Sequence, residues 1–234
     1  MSQQETQLTL RLTPHEIFKI DNFIYENNEL AEVVNAFCRD QKPDFLYLWG
    51  EAGVGKTHLS LAIAEQLQVD GQHVSYINLQ EISNTADAEV LPSLIQSNVV
   101  CLDDLQAICG DAAWEEALFH CFNRLREQEH KLLICAEQNP AQLAIQLPDL
   151  RSRLATGLIY QLPSMTDALK QQALISHAQS RGLILPEEVA QYLLRHYSRD
   201  MPSLMLVMQK LDKASLQAQR RLTIPFVREV IQHG

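Results

Sequence analysis

Residues 44–57 read "DFLYLWGEAGVGKT", and the amphipathic stretch "HLSLAIAEQLQ" follows at once. Phe45 to Trp49 form a short apolar run, the pattern of a strand buried on both faces, and the residues after Thr57 carry the period of a helix. Between them lies Gly50-Glu51-Ala52-Gly53-Val54-Gly55-Lys56-Thr57, the spacing G-x-x-x-x-G-K-[ST] in the strand-to-helix setting that gives it meaning. Three of the eight glycines in the chain fall within residues 50–55. The loop can therefore curl until successive backbone N–H groups point inward, and the next helix adds its positive N-terminal end. That is a cradle for phosphate. Gly50, Gly53, Val54, Gly55, Lys56, Thr57 and His58 are the candidate nucleotide-binding residues. Lys56 reaches for the β-phosphate and beyond, and the Thr57 hydroxyl for Mg²⁺. A glycine turn that matches by accident is the competing explanation, and it leaves the strand before and the helix after without a reason.

A magnesium ion on phosphate needs a second source of oxygen. Residues 98–105, "NVVCLDDL", supply one: an apolar strand that ends in Asp103 and Asp104, where the carboxyl ends of strands open onto the ligand crevice of an open α/β sheet. Asp103 is the candidate Mg²⁺ residue, acting through water, and Asp104 the group that orients an attacking water. Turn formation and solvation are the plain alternative for an Asp pair at a strand end.

Strand-like runs recur at 45–49, 74–79, 98–103, 131–136 and 158–162, separated by helical patterns around 56–69, 87–97, 112–128 and 148–155. Alternation of this kind implies an α/β fold, a parallel sheet with helices on both faces. Beyond residue 164 the strands stop. Helices are expected at 166–179, 186–197, 202–219 and 225–232, with Gly182 as a stop signal and Pro186 and Pro202 in first turns. The division that follows is a leader over 1–13, a nucleotide-binding α/β core over 14–164 and a small all-helical lid over 165–234.

Composition narrows the function. With 46% hydrophobic and 21% charged residues the chain reads as globular. No apolar run approaches the ~18 residues of a membrane span. The start "MSQQETQ" lacks the basic and apolar regions of a signal peptide, so a cytoplasmic protein without a membrane partner is expected. Five cysteines at no C-x-x-C spacing read as buried thiols, and the eight histidines are scattered. A net charge of −10 disfavours an autonomous DNA-binding surface, because neutralising phosphates needs clustered Lys and Arg. Contact with DNA should then come through a partner. Residues 7–12, "QLTLRL", alternate apolar and polar; they suit either an edge strand or an extended peptide offered to another protein.

A phosphate-cradle core followed by a helical lobe resembles the AAA+ ATPases. The stretches "IDNFIYENNELAEVV", "VCLDDLQAI" and "LPDLRSRLATGLIYQL" are similar to the DnaA-related members, and the closing "LTIPFVREVI" fits the Hda group among them. The resemblance spans nearly all of residues 17–232. It implies ADP or ATP as cofactor, with Asn22, Phe23 and Asn28 lining the base pocket. It also implies that Gln7, Leu8, Leu10 and Leu12 match a Q-L-x-L-x-L motif that docks on the sliding clamp, the β subunit of DNA polymerase III, with Arg11 where proline is common. DnaA would be the second partner, and DNA would be met only through the clamp; a homodimer is left open. Arg153 matches the family's finger, a cation lent in trans to a neighbour's triphosphate, with Arg151 two residues away as the alternative. Glu137 in "CAEQNP" stands at the sensor I position. The sensor II position, where relatives have Arg, is Pro202, and Arg199 is one turn earlier. Asp104 is shorter than the usual Glu. What the resemblance implies, then, is a negative regulator of replication initiation with weak or no ATPase of its own. The rival readings are a self-contained P-loop ATPase and a DNA helicase loader.

Overall fold

The computed structural model describes residues 19–25, 28–39, 42–198 and 200–232. Gln7, Leu8, Leu10, Leu12 and Arg199 lie outside the described residues. After a 3-10 turn at Ile20–Asn22, helix α1 (Asn28–Cys38) buries Leu30, Val34 and Phe37, one face at helical spacing. Strand β1 (Phe45–Trp49) runs into α2 (Lys56–Val69), followed by β2 (Val74–Asn78), the one-turn helices α3 (Leu79–Ile82) and α4 (Val90–Ser93), and β3 (Val99–Asp103). Helix α5 (Ala112–Glu127), β4 (Lys131–Ala136), α6 (Pro148–Leu154) and β5 (Leu158–Gln161) complete the core.

The five strands lie in the order β2-β3-β4-β1-β5, and every pair is parallel. Parallel neighbours require crossovers, and the helices supply them on both faces. Side chains alternate accordingly. Phe45, Tyr47, Leu102 and Ile134 pack with Trp114, Leu118 and Phe122 of α5, whereas Leu46, Leu48, Cys101 and Cys135 pack with α1 and with Leu59 and Ile63 of α2. Register sets Asn78 beside Asp103 and Trp49 beside both Ala136 and Gln161. The carboxyl ends of the strands thus share one rim, which receives the phosphate loop.

The strand runs expected from sequence agree with the structure within one residue at each end. The helix expected at 87–97 does not form as one element: α4 covers Val90–Ser93 and a 3-10 turn covers Leu94–Gln96. Pro92 has no amide hydrogen to donate to the Ala88 carbonyl one turn earlier, so the α-helix does not extend back through 87–89. Neither α1 nor α3 was anticipated from pattern.

The last four helices are α7 (Asp167–Ser180), α8 (Glu187–His196), α9 (Met201–Ala218) and α10 (Ile224–Gln232). Thr166 caps α7 by accepting from Leu169 N at 3.2 Å, and Asp200 caps α9 by accepting from Ser203 N at 2.9 Å. Pro186 is the residue that caps α8 rather than a member of its first turn, while Pro202 does lie in the first turn of α9. Leu174, Leu193, Leu204, Leu211 and Val227 make a separate apolar interior. Among the described residues no helix is long and apolar enough to cross a membrane.

Candidate functional site

The loop after β1 turns back through Gly53 and Gly55. Gly55 sits at φ +100°, a backbone state open to glycine, and it starts α2; a Cβ there would lie 2.9 Å from the Phe23 ring. Lys56 is 6% exposed, and its Nζ donates to the carbonyls of Gly50 at 2.7 Å and Glu51 at 2.9 Å. The amine therefore folds along the loop it follows. Ser164 Oγ donates to Glu51 Oε2 at 3.0 Å, which ties the loop to the segment leading to α7.

Asp103 ends β3 with no exposure at all. Its carboxylate accepts from the Thr57 hydroxyl, from Tyr76 Oη at 3.0 Å and from Asp104 N at 3.0 Å. Burial pushes the Asp103 carboxyl above its ordinary value of 3.8; the Thr57 hydrogen bond opposes that, and the neighbouring Asp104 charge adds to it. Thr57 and Asp103, a hydroxyl and a carboxylate held together beside the phosphate loop, are the oxygen donors that Mg²⁺ prefers, so the residues present fit that ion.

Asp104 adopts φ +57°, uncommon for a residue with a Cβ. Two amides hold its side chain: Asn78 Nδ2 donates to Oδ2 at 2.9 Å and Gln106 Nε2 donates to Oδ1 at 3.0 Å. Gln106 in turn accepts from Glu137 N at 3.1 Å. The Asp104 carboxylate and the backbone at Glu137 are thus linked through one glutamine.

These elements border a cavity of about 530 Å³, well within the range of roughly 300–1,000 Å³ usual for small-molecule sites. Asn22, Phe23, Gly53, Val54, Gly55, Lys56, Thr57, His58, Asp104 and Glu137, all expected from sequence, line it. Phe23 forms an aromatic group with Tyr25 at 4.9 Å and His58 at 5.8 Å between ring centroids. Gly50 and Asn28 are not among the lining residues; Asn28 is exposed at the start of α1, and Gly50 contributes its carbonyl to Lys56. The helical lobe closes the other wall with Met165, Leu169, His177, Met201, Pro202 and Met205. Of these, sequence reasoning singled out only Pro202, whose Cδ comes within 3.0 Å of where a Cβ on Gly53 would stand. The rest carry no motif, although two of the methionines flank that proline.

Arg151 and Arg153 occupy the last turn of α6, away from the cavity. The Arg151 guanidinium donates to the Ile145 carbonyl. Arg153 is exposed, and its side chain makes no hydrogen bond or ion pair among the described residues. The five cysteines are all free, three of them buried, and burial pushes the Cys101 thiol up to about 12. Among the described residues no cluster of His, Cys, Asp and Glu is arranged to hold a metal.

The model of the bacterial DnaA ATPase domain matches residues 15–161, and that of the Hda lid domain matches residues 167–231. An uncharacterized protein of Haemophilus influenzae is 41% identical over 227 residues, covering 96% of this chain and 98% of its own. Among solved structures, domain III of the replication initiation protein DnaA from Thermotoga maritima superposes with a TM-score of 0.76 at 20% identity, over 92% of this chain and 96% of that one. AMPPCP-bound DnaA from Aquifex aeolicus gives 0.63 at 24% identity, over 82% of this chain and 65% of that one.

Proposed function

This chain belongs to the DnaA-related AAA+ proteins, with a DnaA ATPase domain and an Hda lid, and on that premise of a DnaA-related replication regulator we propose that it holds an adenine nucleotide and promotes hydrolysis of ATP bound to DnaA. The observation that carries this reading is the contrast between two arginines. Arg151 is turned onto its own chain, while Arg153, two residues on, is exposed and uncommitted among the described residues. No arginine is among the described residues that line the chain's own cavity. A cation with no partner at home is suited to a foreign triphosphate, where preorganised positive charge in the transition state is worth about 10³–10⁵ in rate.

In the chain's own site the loop N–H groups and Lys56 take the phosphates of ADP or ATP, and Phe23 and Asn22 meet the base. Thr57 and Asp103 hold Mg²⁺, which offsets phosphate charge when bound. Asp104 is engaged by two amides and Pro202 brings no charge to the lid, so intrinsic hydrolysis is slow and the nucleotide sets the pose of the lid on the core. The leader residues Gln7, Leu8, Leu10 and Leu12 dock on the sliding clamp, which raises the local concentration of the regulator at DNA without a basic surface of its own.

The test is hydrolysis of labelled ATP on DnaA in the presence of clamp loaded on DNA. The intact chain should stimulate it, Arg153→Ala should lose stimulation while keeping nucleotide and clamp binding, and Gln7→Ala/Leu8→Ala should lose clamp capture and stimulation together. Stimulation that survives Arg153→Ala would sink the reading.

A further inference from the structure

Glu115 lies in the first turn of α5 and is 1% exposed, yet among the described residues it makes no ion pair. Its neighbour Glu116 is an ordinary exposed residue beside His120. Moving a carboxylate out of water is costly unless donors replace the lost solvent. Here three backbone amides do so. Oε1 accepts from Gly110 N at 2.7 Å and Gln146 N at 3.0 Å, and Oε2 accepts from Gln146 N at 2.9 Å and Leu147 N at 2.7 Å.

Those three amides belong to two places that sequence keeps apart. Gly110 closes the segment that begins at Asp104 and runs through the 3-10 turn Leu105–Ile108, the same segment from which Gln106 holds Asp104. Gln146 and Leu147 form the entrance to α6, whose cap residue, Leu147, has no side chain with which to satisfy an amide. The Arg151 guanidinium donates to the Ile145 carbonyl in the same strip. The strip 145–147 is thus clamped by a carboxylate on its N–H groups and a guanidinium on its C=O, and Leu150 and Leu154 pack the helix down behind it. Arg153 stands in the last turn of α6, so whatever fixes the position of this short helix fixes the position of Arg153.

We propose that Glu115 is the positioning residue for Arg153: by gathering the amides of Gly110, Gln146 and Leu147 it fixes α6 against the segment bearing Asp104, so that the finger is presented in one pose. The inference rests on the reading of Arg153 as the group lent to DnaA-bound ATP. A pose error of an ångström at a reacting centre costs up to about 10²-fold in rate while leaving the wider contact surface intact.

The test uses the full chain with loaded clamp and ATP-loaded DnaA. Glu115→Gln keeps the shape and one carbonyl oxygen but removes the charge that serves three amides. Its maximal stimulation should fall by roughly 10–100-fold, with the concentration for half effect and the affinity for ADP unchanged. Hydrogen exchange at the Gln146 and Leu147 amides should quicken, with protection kept in β1, β3 and β4. Unchanged maximal stimulation, or a loss expressed only in the half-effect concentration, overturns the proposal. If Glu115→Gln and the shorter-reaching Glu115→Asp both lose protection throughout the core, the residue merely stabilises the fold and the proposal fails. Arg153→Ala runs alongside. Retained stimulation there defeats the finger reading itself, whereas loss there with full activity of Glu115→Gln defeats only the role given to Glu115.

Discussion

Replacing Pro202 by arginine is expected to make the cavity distinguish ATP from ADP. Pro202 stands in the first turn of α9 with its Cδ against the position a Cβ on Gly53 would take, 3.0 Å away. A side chain grown from this position begins at the edge of the phosphate loop, and a guanidinium on it can approach a γ-phosphate. At about 5 Å and an effective dielectric constant of about 20, one additional unit charge is worth roughly 3 kcal/mol. Residue 202 is exposed, so water and salt reduce this to about 1–2 kcal/mol, a factor of roughly 5–30 in affinity. Calorimetric titration with ATP and with ADP, both with Mg²⁺, reads it directly. The present chain should bind ADP at least as well as ATP. Pro202→Arg should gain for ATP by the stated factor, keep its ADP affinity within about twofold, and lose the advantage as ionic strength rises. A gain equal for both nucleotides, or none for either, would refute the reading of Pro202 as the sensor II position.

Gly55→Ala should cost about 1–2 kcal/mol of backbone strain plus the displacement of Phe23, whereas Gly182→Ala, at φ +74° with nothing within 4 Å of the new Cβ, should show strain alone. Melting temperatures, at about 2–4 °C per kcal/mol for a chain of this size, separate the two, and equal shifts would mean that the ring yields without cost. Asn78→Ala frees one oxygen of Asp104 from a hydrogen bond of about 1.5–3 kcal/mol at most, and intrinsic ATP hydrolysis should rise by up to about tenfold with ADP affinity unchanged; no rise even in Asn78→Ala/Gln106→Ala would show that these amides do not restrain Asp104. Because burial raises the Asp103 carboxyl above 3.8, the folded chain holds a proton there that the unfolded chain has released, so this group lowers stability as pH rises through that interval. Without nucleotide or Mg²⁺, Asp103→Asn should therefore melt higher than the parent at neutral pH, with the difference shrinking toward acid; a difference independent of pH would contradict the assignment.

The strands and the phosphate loop were legible because each is encoded by neighbours in sequence. A buried parallel strand is a continuous apolar run, and the cradle needs its glycines and lysine at fixed separations. The same logic gave the lid helices to within one residue, with Gly182, Pro186 and Pro202 as the local signals. What escaped was encoded across the fold. Asn78 and Gln106 hold Asp104 from a different strand and a following turn, and an amide side chain has no signature until its partner is placed. Pro92 interrupts a stretch whose apolar period alone reads as one helix. Glu115 was visible in principle: it shares the spacing of Leu118 and Phe122, so a charge stood on the apolar face of α5. A carboxylate in that register asks what neutralises it, and the answer lay 31 and 32 residues further on.

The amine of Lys56, satisfied by the carbonyls of Gly50 and Glu51, bears on how ligand arrival is driven. Phosphate does not find an idle cation; it competes with oxygens already there, and the net gain is a difference between two good partners. Affinity is then tuned by how well those two carbonyls hold the amine. Loosening either carbonyl would then tighten the grip on nucleotide without touching a single atom that meets it.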